Sequence, residues 1–228
     1  MSMFQTMKID CPACGASVEF KVVQSVNADR RPDLRAAIID GSFQLEPCPK
    51  CGETFRLDPE FTYVDVGRGQ WIAAYPLAKT GQWKELEQLA RATFNQAYGP
   101  RAPAAAREMG ARMKPRIVFG WSAMREKLIA ADNQLDDVIL ELVKLAIIRA
   151  STRSPLSNET ELRFMGIEED KLVMAWIRAR SERLVEWLKP ARKVYDDVVA
   201  NEAGWRALRQ ELSAGLFVDM NRLIAVPA

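Results

Sequence analysis

The sequence predicts an α+β fold in two parts, and three observations carry that expectation. All four cysteines fall in two copies of one pattern, Cys11-Pro12-Ala13-Cys14-Gly15 and Cys48-Pro49-Lys50-Cys51-Gly52. Around those pairs apolar and polar residues alternate, the period of half-buried strands. From Trp83 onward apolar residues recur mostly every three or four positions, the period of helices, with one later stretch of strand-like alternation. With 228 residues, 48% hydrophobic and 27% charged, the chain can bury one or two cores and falls outside the disordered and collagen-like classes.

Within each cysteine pair the two thiolates lie close enough to hold one ion. The proline presets φ, and the glycine permits the tight bend that turns backbone N–H groups toward sulfur. Two such turns make a closed tetrahedron, so Cys11, Cys14, Cys48 and Cys51 are the expected ligands of one Zn²⁺. Histidine is absent. That removes Ser-His-Asp, Cys-His and His-zinc chemistry, and it leaves an all-sulfur shell with no open position for water. The competing reading is a redox-active Cys-x-x-Cys protein, which calls for one pair at the head of a long helix. Here the motif occurs twice, and a strand pattern follows Gly15.

The 33 residues between Cys14 and Cys48 exceed the roughly 15–20 of a minimal zinc ribbon, so a folded insert is expected there. Val18, Phe20 and Val22 alternate with charged residues as a strand. Asp29 and Pro32 introduce a short helix with Leu34, Ile38 and Ile39 on one face, capped by Gly41. Residues 43–45 lead into the second cysteine turn, and 54–57, 61–66 and 71–75 read as short strands with Gly67 and Gly69 at the last turn.

Residues 83–98 form an amphipathic helix ended by Gly99-Pro100, and residues 99–116, rich in Ala, Pro and Arg, read as a basic connector, with a short helix as the alternative. A strand at 117–119 opens the second part, followed by helices at 122–131 and 135–149. Residues 162–165 and 172–177 read as a hairpin, with 184–188 as a third strand. Helices are expected around 194–199, 205–212 and 216–226. The domain boundaries implied are 1–78, 79–116 and 117–228.

The segments CPACG, SVN at 25–27, RPDLRAAIIDGSF, PCPKCG and the strand pair ending in Tyr75-Pro76 resemble the CpXC domain, a bacterial family. VFGWSAMREK and LFVDMNRLI are similar to stretches that follow it. On the motif residues the resemblance covers about the first third of the chain. It implies a zinc-ribbon-like antiparallel β domain with an inserted helix and the same four ligands, followed here by a mainly helical α+β domain with a small antiparallel sheet. It implies no reaction.

The functional expectation is a non-catalytic zinc-binding protein acting as a binding or scaffold module through protein–protein contacts. Nucleic-acid binding is the alternative. Positive charge is concentrated in residues 79–116, eight Lys/Arg against three Asp/Glu, and Arg101, Arg107, Arg112, Lys114 and Arg116 would supply phosphate contacts. Arg125, Glu126, Asp219 and Arg222, with Lys127 and Asn221 beside them, are polar residues in apolar stretches and read as a buried ion-pair network rather than a catalytic site. Residues 138–148 are apolar on most sides, which points to burial or a homo-oligomer contact. Glu141 and Lys144 break that stretch, so no membrane span of roughly 18 apolar residues is present. Without a signal-peptide pattern at the start, the expected location is the cytoplasm.

Overall fold

The first cysteine pair is the turn of a long hairpin, β1 (Met3–Asp10) paired antiparallel with β2 (Ser17–Asn27). The computed structural model describes residues 2–151, 155, 157 and 159–224, and the chain divides into two units. One comprises Met1–Thr80 with Gln88–Trp121, the other Gly81–Glu87 with Ser122–Ala228. The α+β class expected from the sequence is observed.

In the first unit β2 leads into α1 (Pro32–Asp40), which has Pro32 in its first turn and ends on Gly41 at φ 81°. The sequence signals for this helix were local, and its ends follow them. A second, smaller hairpin, β3 (Leu45–Pro47) with β4 (Thr54–Arg56), carries the second cysteine turn. β5 (Phe61–Asp65) and β6 (Gln70–Tyr75) follow. β7 (Lys114–Phe119) completes a sheet of order β1-β2-β5-β6-β7. This sheet is mixed: β2/β5 and β6/β7 are parallel pairs.

β5 reaches only the last three residues of β2. Where it stops, Gln44 takes over: its side chain accepts from Val23 N–H (2.9 Å) and donates to the Lys21 carbonyl (3.0 Å). Trp121 fills the core of this unit, stacked on Phe61 (5.2 Å between centroids) and edge-on to Phe43 (5.8 Å), with its indole N–H donated to the Leu57 carbonyl. Phe20, Val22 and Leu57 form a smaller cluster with Ile9, Val18 and Phe55.

Two departures from expectation concern this unit. Residues 99–116, favoured as a connector, hold the alternative short helix: α2 (Trp83–Tyr98) is followed by α3 (Ala104–Ala111), then by β7. A Cβ at Gly110 would come within 2.5 Å of Tyr98 Cβ, so the glycine lets α3 close on α2. The strand expected to open the second part instead joins the first sheet. β7 is an edge strand, which tolerates Pro115. β1 carried no sequence signal because seven of its eight residues are exposed; the ladder to β2 holds it, and burial leaves no period to read.

In the second unit α4 (Gly120–Asp132) precedes α5 (Asp137–Ala150), whose cap Asp136 accepts from Val138 N–H and Ile139 N–H. β8 (Thr160–Glu168), β9 (Lys171–Arg178) and β10 (Leu184–Leu188) form an antiparallel meander. α6 (Lys193–Ala200) and α7 (Glu202–Ser213) complete a core of Leu140, Leu142, Val143, Phe164, Met174, Trp176, Val198 and Leu212. The expected closing helix is reduced to α8 (Asn221–Ile224), and Val226 lies outside the described residues. Residues 215–220 are irregular and wholly buried. Among the described residues no helix is long and apolar enough to cross a membrane.

Candidate metal centre

The two cysteine turns are near copies of each other. Gly15 N–H bonds to the Cys11 carbonyl (2.9 Å) and Cys11 N–H to the Ala16 carbonyl (2.9 Å). Gly52 N–H bonds to Cys48 and Cys48 N–H to Glu53, both at 2.8 Å. Gly15 and Gly52 sit at φ 69° and 78°, and a Cβ at either would meet nothing within 4 Å. The requirement for glycine is therefore the backbone angle, not space.

The turns bring all four sulfurs within 4.8 Å of one another. Across the pairs, Cys11 Sγ lies 3.8 Å from Cys51 Sγ and Cys14 Sγ 3.9 Å from Cys48 Sγ. With metal–sulfur bonds of about 2.3 Å the edge of a sulfur tetrahedron is roughly 3.8 Å, so the arrangement is compatible with one ion at the centre. Cys11 and Cys48 are buried, whereas Cys14 and Cys51 face solvent. Both pairs lie in β-hairpin turns, so neither is at the helix N-terminus that a thioredoxin-like dithiol uses.

The thiols are graded even without metal. Backbone N–H groups of Cys51 and Lys50 draw the Cys48 thiol down to about 7. Glu53 N–H favours the Cys51 thiolate, yet desolvation and the sulfurs of Cys14, Cys48 and Cys11 outweigh it and push that thiol up to about 12. A cation at the centre would remove that mutual penalty by holding all four as thiolates.

The other polar residues singled out by sequence are distributed differently. Glu126 and Asp219 are buried and joined by Arg163, which reaches Glu126 at 3.0 Å and Asp219 at 2.6 Å. Lys144 Nζ lies 2.7 Å from Glu126 and 2.8 Å from Glu141. Lys127 donates to the Val218 carbonyl at 2.6 Å. Arg125 instead pairs with Glu182, and Arg222 with Glu87 while lying over the Trp83 ring. Asn221 contributes its backbone N–H to Asp219.

Sequence reasoning missed Glu141, Lys144 and Arg163 as members of this network. The only available signal was two charges three residues apart inside an apolar run. Carboxylate oxygens of Glu126, Glu141 and Asp219 lie within 4.8 Å of one another, but the Lys144 ammonium already sits between two of them. Burial opposes ionisation of Glu126 and Asp219, yet Lys144 and Arg163 hold Glu126 low and Arg163 and Lys144 hold Asp219 down to about 2. Burial pushes Glu141 up to about 7.

Arg101, Arg107, Arg112 and Lys114 are exposed and Arg116 half-buried. Arg107 turns back to the Ala102 carbonyl and Arg116 bonds the Pro115 carbonyl, whereas Arg112 and Lys114 flank the start of β7.

A family model described as "CpXC protein" matches residues 9–144. The match runs through the first unit and into α5, well beyond the first third on which the motifs lie. No curated protein and no solved structure matches the chain.

Proposed function

The chain belongs to the CpXC family, and on that premise we propose that it is a non-catalytic binding module organised around one structural Zn²⁺, acting through contacts with a protein partner. The observation that carries this reading is the closed set of four sulfurs at tetrahedral spacing. Cys11, Cys14, Cys48 and Cys51 would hold the ion, which would join two hairpins that also meet through Phe20 and Phe55. Four thiolates leave no place for a substrate or water, which favours a structural over a catalytic role.

Exposed apolar side chains on two edge strands support the partner reading: Met3, Phe4 and Met7 on β1, and Leu184, Val185 and Trp187 on β10. The apolar residues of α5 that suggested self-association are taken up by the core of their own unit.

Metal analysis and thiol titration of protein purified without added metal test the proposal. One zinc per chain with no free or disulfide-linked thiols is expected; metal-free protein that reversibly forms a disulfide within a Cys-x-x-Cys pair would make it a redox protein instead. Capture experiments at two salt concentrations then test the partner class, since an apolar protein contact survives moderate salt.

A further inference from the structure

The end of the first sheet remote from the cysteine turns is built by three loops. β2 and β5 run away from the first cysteine turn and end here; β6 and β7 begin here. The loops are residues 28–31, 66–69 and 112–113, and they are tied together through the backbone. Asp29 accepts from Val66 N–H (2.9 Å) and Gly67 N–H (3.1 Å), and Lys114 N–H bonds to the Gly69 carbonyl (2.8 Å). The exposed cations Arg30, Arg68, Arg112 and Lys114 are thereby gathered from distant parts of the sequence.

Three carboxylates at this end, Asp29, Asp33 and Asp65, are already engaged. Both oxygens of Asp29 serve the loop N–H groups just named. Asp65 is buried under the Tyr63 hydroxyl (3.1 Å) and Arg68 (3.2 Å), and Asp33 is paired with Arg31 at 2.6 Å. One Nη of Arg68 contacts Asp65, and the side chain stays 47% exposed.

We propose that this sheet end binds the phosphate backbone of a nucleic acid. Three guanidinium groups and an ammonium on rigidly tied loops suit phosphate oxygens, for which Arg offers a planar fork of donors. Base reading is not part of it. The nearby aromatics Trp71 and Phe94 pack on each other (5.4 Å), as do Phe94 and Tyr98 (5.2 Å). The site is distinct from the basic connector read in the sequence: it takes only Arg112 and Lys114 from that stretch, and adds Arg30 and Arg68. It goes beyond the metal-organised module and does not depend on which protein that module meets.

The test is fluorescence anisotropy of the full, metal-loaded chain with a labelled DNA duplex of about 20 base pairs and an RNA of about 20 nucleotides. Four phosphate contacts give a log–log salt slope of about −3.6 on duplex, hence a loss on the order of 100-fold between about 50 and 200 mM salt. The triple variant R30Q/R112Q/K114Q leaves Arg68 on Asp65 and should flatten that slope by roughly 2 to 3. R178Q/K189Q, which removes exposed charges from the second unit, should leave it unchanged. Metal content equal to that of the wild type shows that each variant keeps the first unit. No binding at about 50 mM salt, a slope the triple variant does not alter, or equal losses in both variants would overturn the proposal. So would binding of phosphatidylserine vesicles without binding of either oligonucleotide.

Discussion

Raising the pH from about 5 to about 8 should destabilise the second unit, and one carboxyl group is the cause. Glu141 is buried and lies between Lys144 of its own helix (2.8 Å), Lys127 and Glu126 of α4, and the segment bearing Asp219. Its Oε2 accepts Met220 N–H at 2.9 Å. Burial lifts its pKa to about 7 from the ordinary 4.5. The folded state therefore binds more protons than the unfolded state between these values, and the stability this confers is complete below pH 4.5 and lost as pH rises through 7. The difference corresponds to roughly 3 kcal/mol.

Two features isolate the effect. The chain contains no histidine, and all four cysteines lie in the other unit. The neighbouring Glu126 and Asp219 are held below their ordinary range and stay ionised throughout the window. Hydrogen exchange read on peptides covering residues 138–144 reports this unit alone. Wild-type protection should weaken across the window, while Glu141→Gln, which keeps an oxygen for Met220 N–H and removes the titration, should be flat. A flat wild-type profile, or an equal slope in the variant, would refute the reasoning.

Three further outcomes follow from the same geometry. Cys48→Ser or chelation should unfold the first unit, because structural zinc contributes roughly 10–16 kcal/mol to small domains; native amide dispersion in a metal-free sample would contradict this. Gly52→Ala should weaken metal retention about tenfold in chelator competition, since φ 78° strains an alanine by roughly 1–2 kcal/mol although no atom lies within 4 Å. Lys144→Met leaves Glu126 and Glu141 facing each other without the buried ammonium and should cost about 3–5 kcal/mol by urea unfolding, whereas the double change with Glu126→Gln should recover part of that loss.

The legible parts of this protein are those with a local cause. The four cysteines, the proline and glycine bounding α1, the span of α2 and the alternation in β5 each leave their reason within a few residues of themselves. The hairpin of β8 and β9 was visible as two apolar runs separated by five residues, even though its turn places Glu169 and Asp170 at φ 46° and 61° without a glycine. β7 was misplaced because its partner is β6, more than 35 residues away, and parallel register has no local mark. Its Pro, Arg and Lys suggested a connector, yet an edge strand accommodates all three.

Residues 215–220 show the limit most clearly. Leu216, Phe217, Val218 and Met220 would suit a helix, and local pattern favours one. Instead, charged side chains from elsewhere in the unit take the bonds a helix would make internally. Glu87 accepts Leu216 N–H at 2.6 Å, Lys127 donates to the Val218 carbonyl at 2.6 Å, Glu141 accepts Met220 N–H, and Arg163 holds the Asp219 carboxylate. Each partner is 56 to 129 residues distant in sequence, the nearest through Arg163 and the farthest through Glu87. An extended segment can be buried only when its N–H and C=O groups are satisfied. Two members of the ionic network thus also serve the backbone of residues 215–220, Glu141 through Met220 N–H and Lys127 through the Val218 carbonyl. For Glu141, that bond accounts for a carboxylate in a position that an apolar core would otherwise fill. It also follows that loss of one charge should loosen residues 215–220 in hydrogen exchange before it loosens the centre of α5.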